Sequence, residues 1–194
     1  YLKTLPSSDF NTVLSDIIAG IVAVKDEELA GRLHGIQAMV GGIIQPFDAY
    51  LLIRSIKTLG LRVDRQVENA VKIAEFLQAN DAVEKVFYPG LPTDANYAVQ
   101  HSQAKNGGAM IAFILKENVA VGKFLDSLQV FTHGASLGGV ESLIGHPGTS
   151  SHRSLSKEQK EELGISDRMI RLSPGIEDAS DLIEDLEQAL QNAE

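Results

Sequence analysis

The sequence predicts a chain of the α/β or α+β class, on three observations. From Val83 onward, short apolar runs rich in β-branched residues alternate with helical stretches across tight connections. Residues 17–80 read differently, as one strand followed by long helices. The composition, 44% hydrophobic and 22% charged in 194 residues, is that of a folded chain and excludes wholesale disorder. The asymmetry between the two stretches predicts the tail of a larger domain, a bridging helix and a complete small domain.

Residues 1–15 are polar, with a turn signal at Pro6-Ser7-Ser8-Asp9. The run IIAGIVAV (residues 17–24), bounded by Asp16 and Lys25, predicts a buried strand. A helix follows from Asp26 towards Val40, and Gly41-Gly42 interrupts it. Pro46, tolerated in a first helical turn, opens a helical segment through Phe47 to Leu59, where Gly60 marks a break. Val63, Val67, Ala70, Val71, Ala74 and Leu77 then line one face of a long amphipathic helix that ends at Asn80-Asp81. Strands are expected at Val83–Tyr88, Ala109–Leu115, from Val130-Phe131, and at Met169–Leu172. Helices are expected at Asn96–Lys105, Val119–Leu128, Lys157–Leu163 and Asp178–Ala193. The glycine-rich stretch HGASLGGVESLIGHPGTSSH (residues 133–152) reads as the one long irregular region.

Charge and composition narrow the function. Seventeen Lys+Arg against 26 Asp+Glu give net −9, which disfavours a nucleic-acid groove or an anionic membrane surface. The absence of cysteine excludes a disulfide scaffold, a cysteine zinc site and a cysteine nucleophile. No apolar run approaches the ~20 residues of a membrane span, and no signal pattern opens the chain, so a cytoplasmic protein is expected.

Two places could carry chemistry. Around Ser136-Leu137-Gly138-Gly139, glycines let backbone approach a ligand closely and Ser136 offers a hydroxyl; a tight connection between strands explains the same residues. Arg171, flanked by apolar residues in a predicted strand, points either to solvent or to a buried anion, and its planar fork suits a carboxylate. His146 and His152, six apart, have no metal-ligand spacing, and all five histidines read as ordinary loop or surface residues. Glu177-Asp178 favours the N-terminus of the last helix, and Lys157–Glu162 a solvated helix face.

Several stretches together resemble one family. QPFDAYLLIRSIKTLGLR (residues 45–62) is similar to a segment of the Cys/Met-metabolism pyridoxal-phosphate (PLP) enzymes, a family that includes cystathionine γ-synthase, the cystathionine lyases and methionine γ-lyase. VFYPGL (86–91), GGAMIAF (107–113), SLGGVESLI (136–144), His146-Pro147 and RLSPGIED (171–178) follow in the family's order.

The resemblance implies a fold-type-I, PLP-transferase-like architecture. Residues 1–60 would be a remnant of the large cofactor domain with its connecting helix. Residues 61–194 would form the small C-terminal α+β domain, with an antiparallel sheet. It further implies that Arg171 grips the substrate α-carboxylate with help from Ser136. The substrate would be an amino acid with a thioether or activated hydroxyl, and the protein a homo-oligomer. The family's Schiff-base lysine falls at Asp9 in an ungapped alignment, and Ser8 falls at the preceding Thr, the candidate cofactor contact. Lys3 reaches the lysine position only with a shifted alignment and an insertion. An Asp cannot condense with the cofactor's aldehyde, because that chemistry needs an amine. The expectation is therefore a C-terminal part of a carbon–sulfur lyase or transsulfuration enzyme that does not hold the cofactor covalently and is inactive alone. The alternatives are a non-catalytic assembly module, pairing with itself or a full-length relative, and an unrelated carboxylate-binding domain.

Overall fold

A computed structural model describes residues 3–4, 17 and 19–194. Ser8 and Asp9 lie outside the described residues. The chain divides into two compact units, residues 1–60 and 61–194.

In the first unit, β1 (Lys3–Thr4) pairs antiparallel with β2 (Val22–Ala23). The strand expected over residues 17–24 is thus two residues long, and it is not buried: Ile21 and Val22 are each 49% exposed, while Ile17 is buried. An apolar run becomes a core strand only when layers cover it, and among the described residues β2 has one short partner. Helix α1 (Glu27–Val40) starts where the Asp26 carboxylate accepts the Leu29 N–H at 2.7 Å. It stops at Gly41, whose φ of 78° is the left-handed conformation that closes helices. Helix α2 (Pro46–Ile56) carries proline in its first turn.

Helix α3 (Leu59–Ala79) takes in Gly60, where the sequence predicted a break. The interruption falls instead at Lys57-Thr58. A glycine in a first turn costs at most about 1 kcal/mol, which the buried face of α3 outweighs. That face carries Val67, Ala70, Ile73, Ala74 and Leu77.

The second unit is built on a five-stranded sheet: β3 (Val83–Phe87), β4 (Ile111–Leu115), β5 (Thr132–His133), β6 (Leu143–Gly145) and β7 (Met169–Ser173), in the order β3-β4-β7-β6-β5. The β3–β4, β4–β7 and β6–β7 pairs are antiparallel, as expected, but the edge pair β5–β6 is parallel. Strand β6 lies inside the stretch read from sequence as irregular. The chain leaves β5, loops over residues 134–142 and returns to run beside it, so the two strands share a direction.

Helices α4 (Tyr97–Gln103), α5 (Val121–Ser127), α6 (Lys157–Glu162) and α7 (Ala179–Ala193) complete the unit. Strand alternation sorts residues by face. Ile111 and Phe113 of β4 stand opposite Leu172 and Ile170 of β7 and are buried with Leu77 of α3, Phe124 of α5, and Leu182 and Leu186 of α7. Phe113 and Phe124 meet edge to face, centroids 6.1 Å apart. The buried Asp185 carboxylate of α7 accepts the backbone N–H groups of Gln129, Val130 and Phe131 at 2.8, 2.8 and 3.0 Å and so fixes the approach to β5. The opposite face of the sheet carries Ala112, Arg171 and Gly145 side by side.

Candidate functional site: an arginine on the sheet face

Arg171 occupies the middle of the central strand β7, on the face turned away from the hydrophobic core. Its strand neighbours are small. Ala112 of β4 and Gly145 of β6 leave room for the guanidinium to lie across the sheet, and a Cβ at Gly145 would stand 3.7 Å from Arg171 Nη2 and 3.1 Å from the Gly134 carbonyl. Arg171 Nη2 donates to the carbonyls of Ala135 and Ser136 at 3.0 and 2.9 Å. The side chain is half-buried, and this desolvation pulls its pKa down from the ordinary value. It nevertheless stays cationic, since arginine is not deprotonated in proteins. Nη1 and Nε have no protein acceptor among the described residues, so their N–H groups are open to an anion.

Arg171 and Ser136 are therefore neighbours. The group of Ser136 that meets the guanidinium is its carbonyl, while its hydroxyl lies on the same half-buried loop. That loop, residues 134–142, is held from several sides. Gly134 N–H donates to Ile144 O at 2.9 Å. Gly138 N–H donates to Ser173 Oγ at 2.7 Å. From α3, Gln66 Nε2 donates to Gly139 O at 2.6 Å and Gly138 O at 3.3 Å. One turn further along α3, Asn69 Nδ2 donates to Gly175 O and Glu177 O, both at 3.0 Å. The Asn69 Oδ1 is buried without a hydrogen-bond partner among the described residues.

At the loop's far end, Glu177 accepts from Ser142 N–H at 2.7 Å and from Ser142 Oγ at 2.8 Å, and Ser142 Oγ in turn accepts the Gly175 N–H at 2.8 Å. Gly175 admits no side chain: a Cβ there would come within 2.2 Å of Val140 O. Sequence reasoning missed Gln66, Asn69, Ser142 and Ser173, and gave Glu177 a role at the N-terminus of the last helix rather than at this loop. For Gln66 and Asn69 the available signal was polar residues at core positions of α3, which interrupt its apolar face, while Ser142 and Ser173 stand inside the SLGGVESLI and RLSPGIED stretches. Glu177 and Asp178 also divide their labour. Asp178 caps α7, accepting the Ser180 N–H at 2.9 Å, whereas Glu177 ties down the loop.

His146 sits in a loop directly after β6, as expected, but is buried rather than at the surface. It is 8% exposed, and its Nε2 donates to Asp167 O at 2.8 Å. Its Nδ1 lies 2.9 Å from Thr149 Oγ1, so both ring nitrogens are engaged. Among the described residues, no group of three or more His, Asp or Glu is placed to hold a metal ion. Nor is any described helix long and apolar enough to cross a membrane.

The site around Arg171 offers the open N–H groups of a guanidinium beside a small glycine, with the Ala135 and Ser136 carbonyls taken up as acceptors of Nη2. It suits a carboxylate. It does not suit an aldehyde cofactor, which needs an amine, and Ser8, the candidate cofactor contact, lies outside the described residues.

Fold and site together define a helix-backed α/β domain that offers a fixed cation to an anion. The family model for Cys/Met metabolism PLP-dependent enzymes matches residues 14–191. The chain is 44% identical over 178 residues to the cystathionine gamma-lyase of Bacillus subtilis strain 168, covering 92% of this chain and 47% of that protein. It is 46% identical over 180 residues to the L-methionine gamma-lyase of Pseudomonas deceptionensis, covering 91% and 45%. Among solved structures, cystathionine gamma synthase from Xanthomonas oryzae pv. oryzae in complex with cystathionine superposes with a TM-score of 0.90 at 41% identity, covering 96% of this chain and 49% of that one. The chain belongs to the Cys/Met metabolism PLP-dependent enzyme family, and its fold is the α/β fold of those enzymes. It spans about half the length of the relatives it matches.

Proposed function

We propose that this chain is the substrate-anchoring C-terminal part of a PLP-dependent carbon–sulfur lyase or synthase of transsulfuration, with Arg171 as the anchor for the substrate α-carboxylate and Ser136 beside it. One observation carries the reading. Arg171 is a half-buried guanidinium whose Nη2 is tied to two loop carbonyls while Nη1 and Nε stay open. A cation held in this way has lost most of its rotational freedom before a ligand arrives, so less is lost on binding. The two lyases are named for cystathionine and methionine and the synthase is in complex with cystathionine, which supports an amino-acid substrate carrying a thioether; an amino acid with an activated hydroxyl is the alternative substrate.

Residues 1–60 fit the end of the large cofactor domain and residues 61–194 the small domain. The support is the surface of the first unit: Met39, Val40, Ile43, Phe47, Tyr50 and Ile53 are each at least 60% exposed. Clustered apolar exposure of this kind marks a surface built to be covered. The same observation favours a second reading, an assembly module that pairs with itself or a full-length relative. Light scattering across a concentration series separates the two, because self-pairing gives a mass that rises to the dimer and beyond.

The anchor is tested by calorimetric titration of the chain with L-cystathionine. Saturable binding is expected, and Arg171→Lys should abolish it, because lysine keeps the charge but not the planar fork. Undiminished binding by Arg171→Lys overturns the assignment. With pyridoxal phosphate added, the chain alone should release no 2-oxo acid from cystathionine, and release at any enzymatic rate refutes its inactivity.

A further inference from the structure

We propose that Ser173 is a positioning residue for Arg171: its hydroxyl sets the register of the 134–142 loop on strand β7, and so the rotation of the guanidinium. The proposal rests on the carboxylate reading of Arg171 and adds to it a residue with no contact to the ligand.

Two side chains two residues apart on β7 meet two backbone groups two residues apart on the loop. Arg171 Nη2 donates to Ser136 O at 2.9 Å, and Ser173 Oγ accepts from Gly138 N–H at 2.7 Å. Residues i and i+2 of a strand share a face, so both contacts lie on the side of the sheet away from the core. The loop is therefore laid along β7 by side chains rather than by a ladder of backbone bonds. Gly138, at φ 70°, turns the chain at the point where Ser173 holds it. Gln66 closes the clamp from α3 through the carbonyls of Gly138 and Gly139.

Ser173 is 1% exposed and Gln66 2%. Neither has a solvation role at the surface, and each of these bonds ends on the loop. Without the Ser173 oxygen, the buried Gly138 N–H has no acceptor, and the loop must shift to find one. The Ala135 and Ser136 carbonyls shift with it and release Nη2. The guanidinium then flips about its Nε–Cζ bond, exchanging the two Nη groups, and the loosened side-chain torsions take the fixed direction from Nε. Precise placement of a binding group by a supporting shell is a general requirement of recognition sites.

The test reads the guanidinium directly, by nitrogen-15 NMR of the 194-residue chain without ligand. In the unmodified chain the two Arg171 Nη groups should give separate, slowly exchanging resonances. Ser173→Ala and Gln66→Ala should merge them, and Ser173→Thr, which restores the acceptor, should keep them separate. Tyr88→Phe serves as the control. It removes a hydrogen bond to Gly108 O elsewhere in the unit, and it should lower stability without merging the Nη signals. L-cystathionine should bind about tenfold more weakly to Ser173→Ala than to the unmodified chain. Separate Nη resonances in Ser173→Ala overturn the proposal. If L-cystathionine instead leaves the Arg171 signals of the unmodified chain untouched, the carboxylate reading fails, while the positioning role is still decided by the ligand-free spectra.

Discussion

Helices α1 and α2 of the first unit and helices α3 and α7 contrast in what they bury. Helix α1 buries no residue and α2 buries only Ser55, whereas α3 and α7 each bury a full stripe from Val67 to Leu77 and from Ala179 to Ala193. Yet α1 has the clearer end signals, with Asp26 at its start and a left-handed Gly41 at its close. End signals decide where a helix starts and stops. Burial decides whether it belongs to a core. The two requirements are independent, and this chain shows one largely without the other.

The largest effect should separate the regions outright. Leu186→Ala, at a fully buried position of α7, should cost about 2–5 kcal/mol in urea denaturation, while Ile53→Ala, 63% exposed on α2, should stay within about 0.5 kcal/mol. A comparable loss at Ile53 would erase the contrast. Next comes Asp185→Ala, which leaves the Gln129, Val130 and Phe131 N–H groups without their acceptor. A loss of about 3 kcal/mol is expected, with faster amide hydrogen exchange at those three residues.

The third effect depends on pH. Burial raises the Tyr88 hydroxyl from 10.0 to about 12. Between those values the unfolded chain gives up a proton that the folded chain keeps, so stability falls as pH rises from 10 towards 12. The urea midpoint of the second unit should drop across that range, and Tyr88→Phe should flatten the drop. The smallest effect is local. Asp26→Ala removes the cap on Leu29 N–H and should weaken the first turn of α1 by about 1 kcal/mol, seen in amide exchange at Leu29 with no change in the unfolding of the second unit.

Much of the second unit was legible in the sequence because its signals are local. Strand β4 shows as an apolar run, α7 as a 3.6-residue stripe behind Asp178, and Arg171 as a charge set in an apolar strand. Ser136 was picked out for its hydroxyl, but the contact the structure shows is made by its carbonyl, a group every residue has and no motif reveals. The run at residues 17–24 misled because apolar character states a need for cover and not its supply; Ile21 and Val22 are half-exposed. Gly60 misled because glycine's cost depends on its position within the helix.

The sequence by itself determined most of the elements, most of the core and the family, since side-chain periodicity, capping chemistry and ordered motifs act between residues close along the chain. Tertiary structure alone decided the parallel β5–β6 edge, the burial of His146 and the Gln66–Ser173–Glu177 clasp around residues 134–142. The contacts of that clasp join residues 35 to 73 positions apart. A glutamine, a serine and a glutamate carry no sign of which distant backbone groups they will meet until the sheet and α3 are already in place.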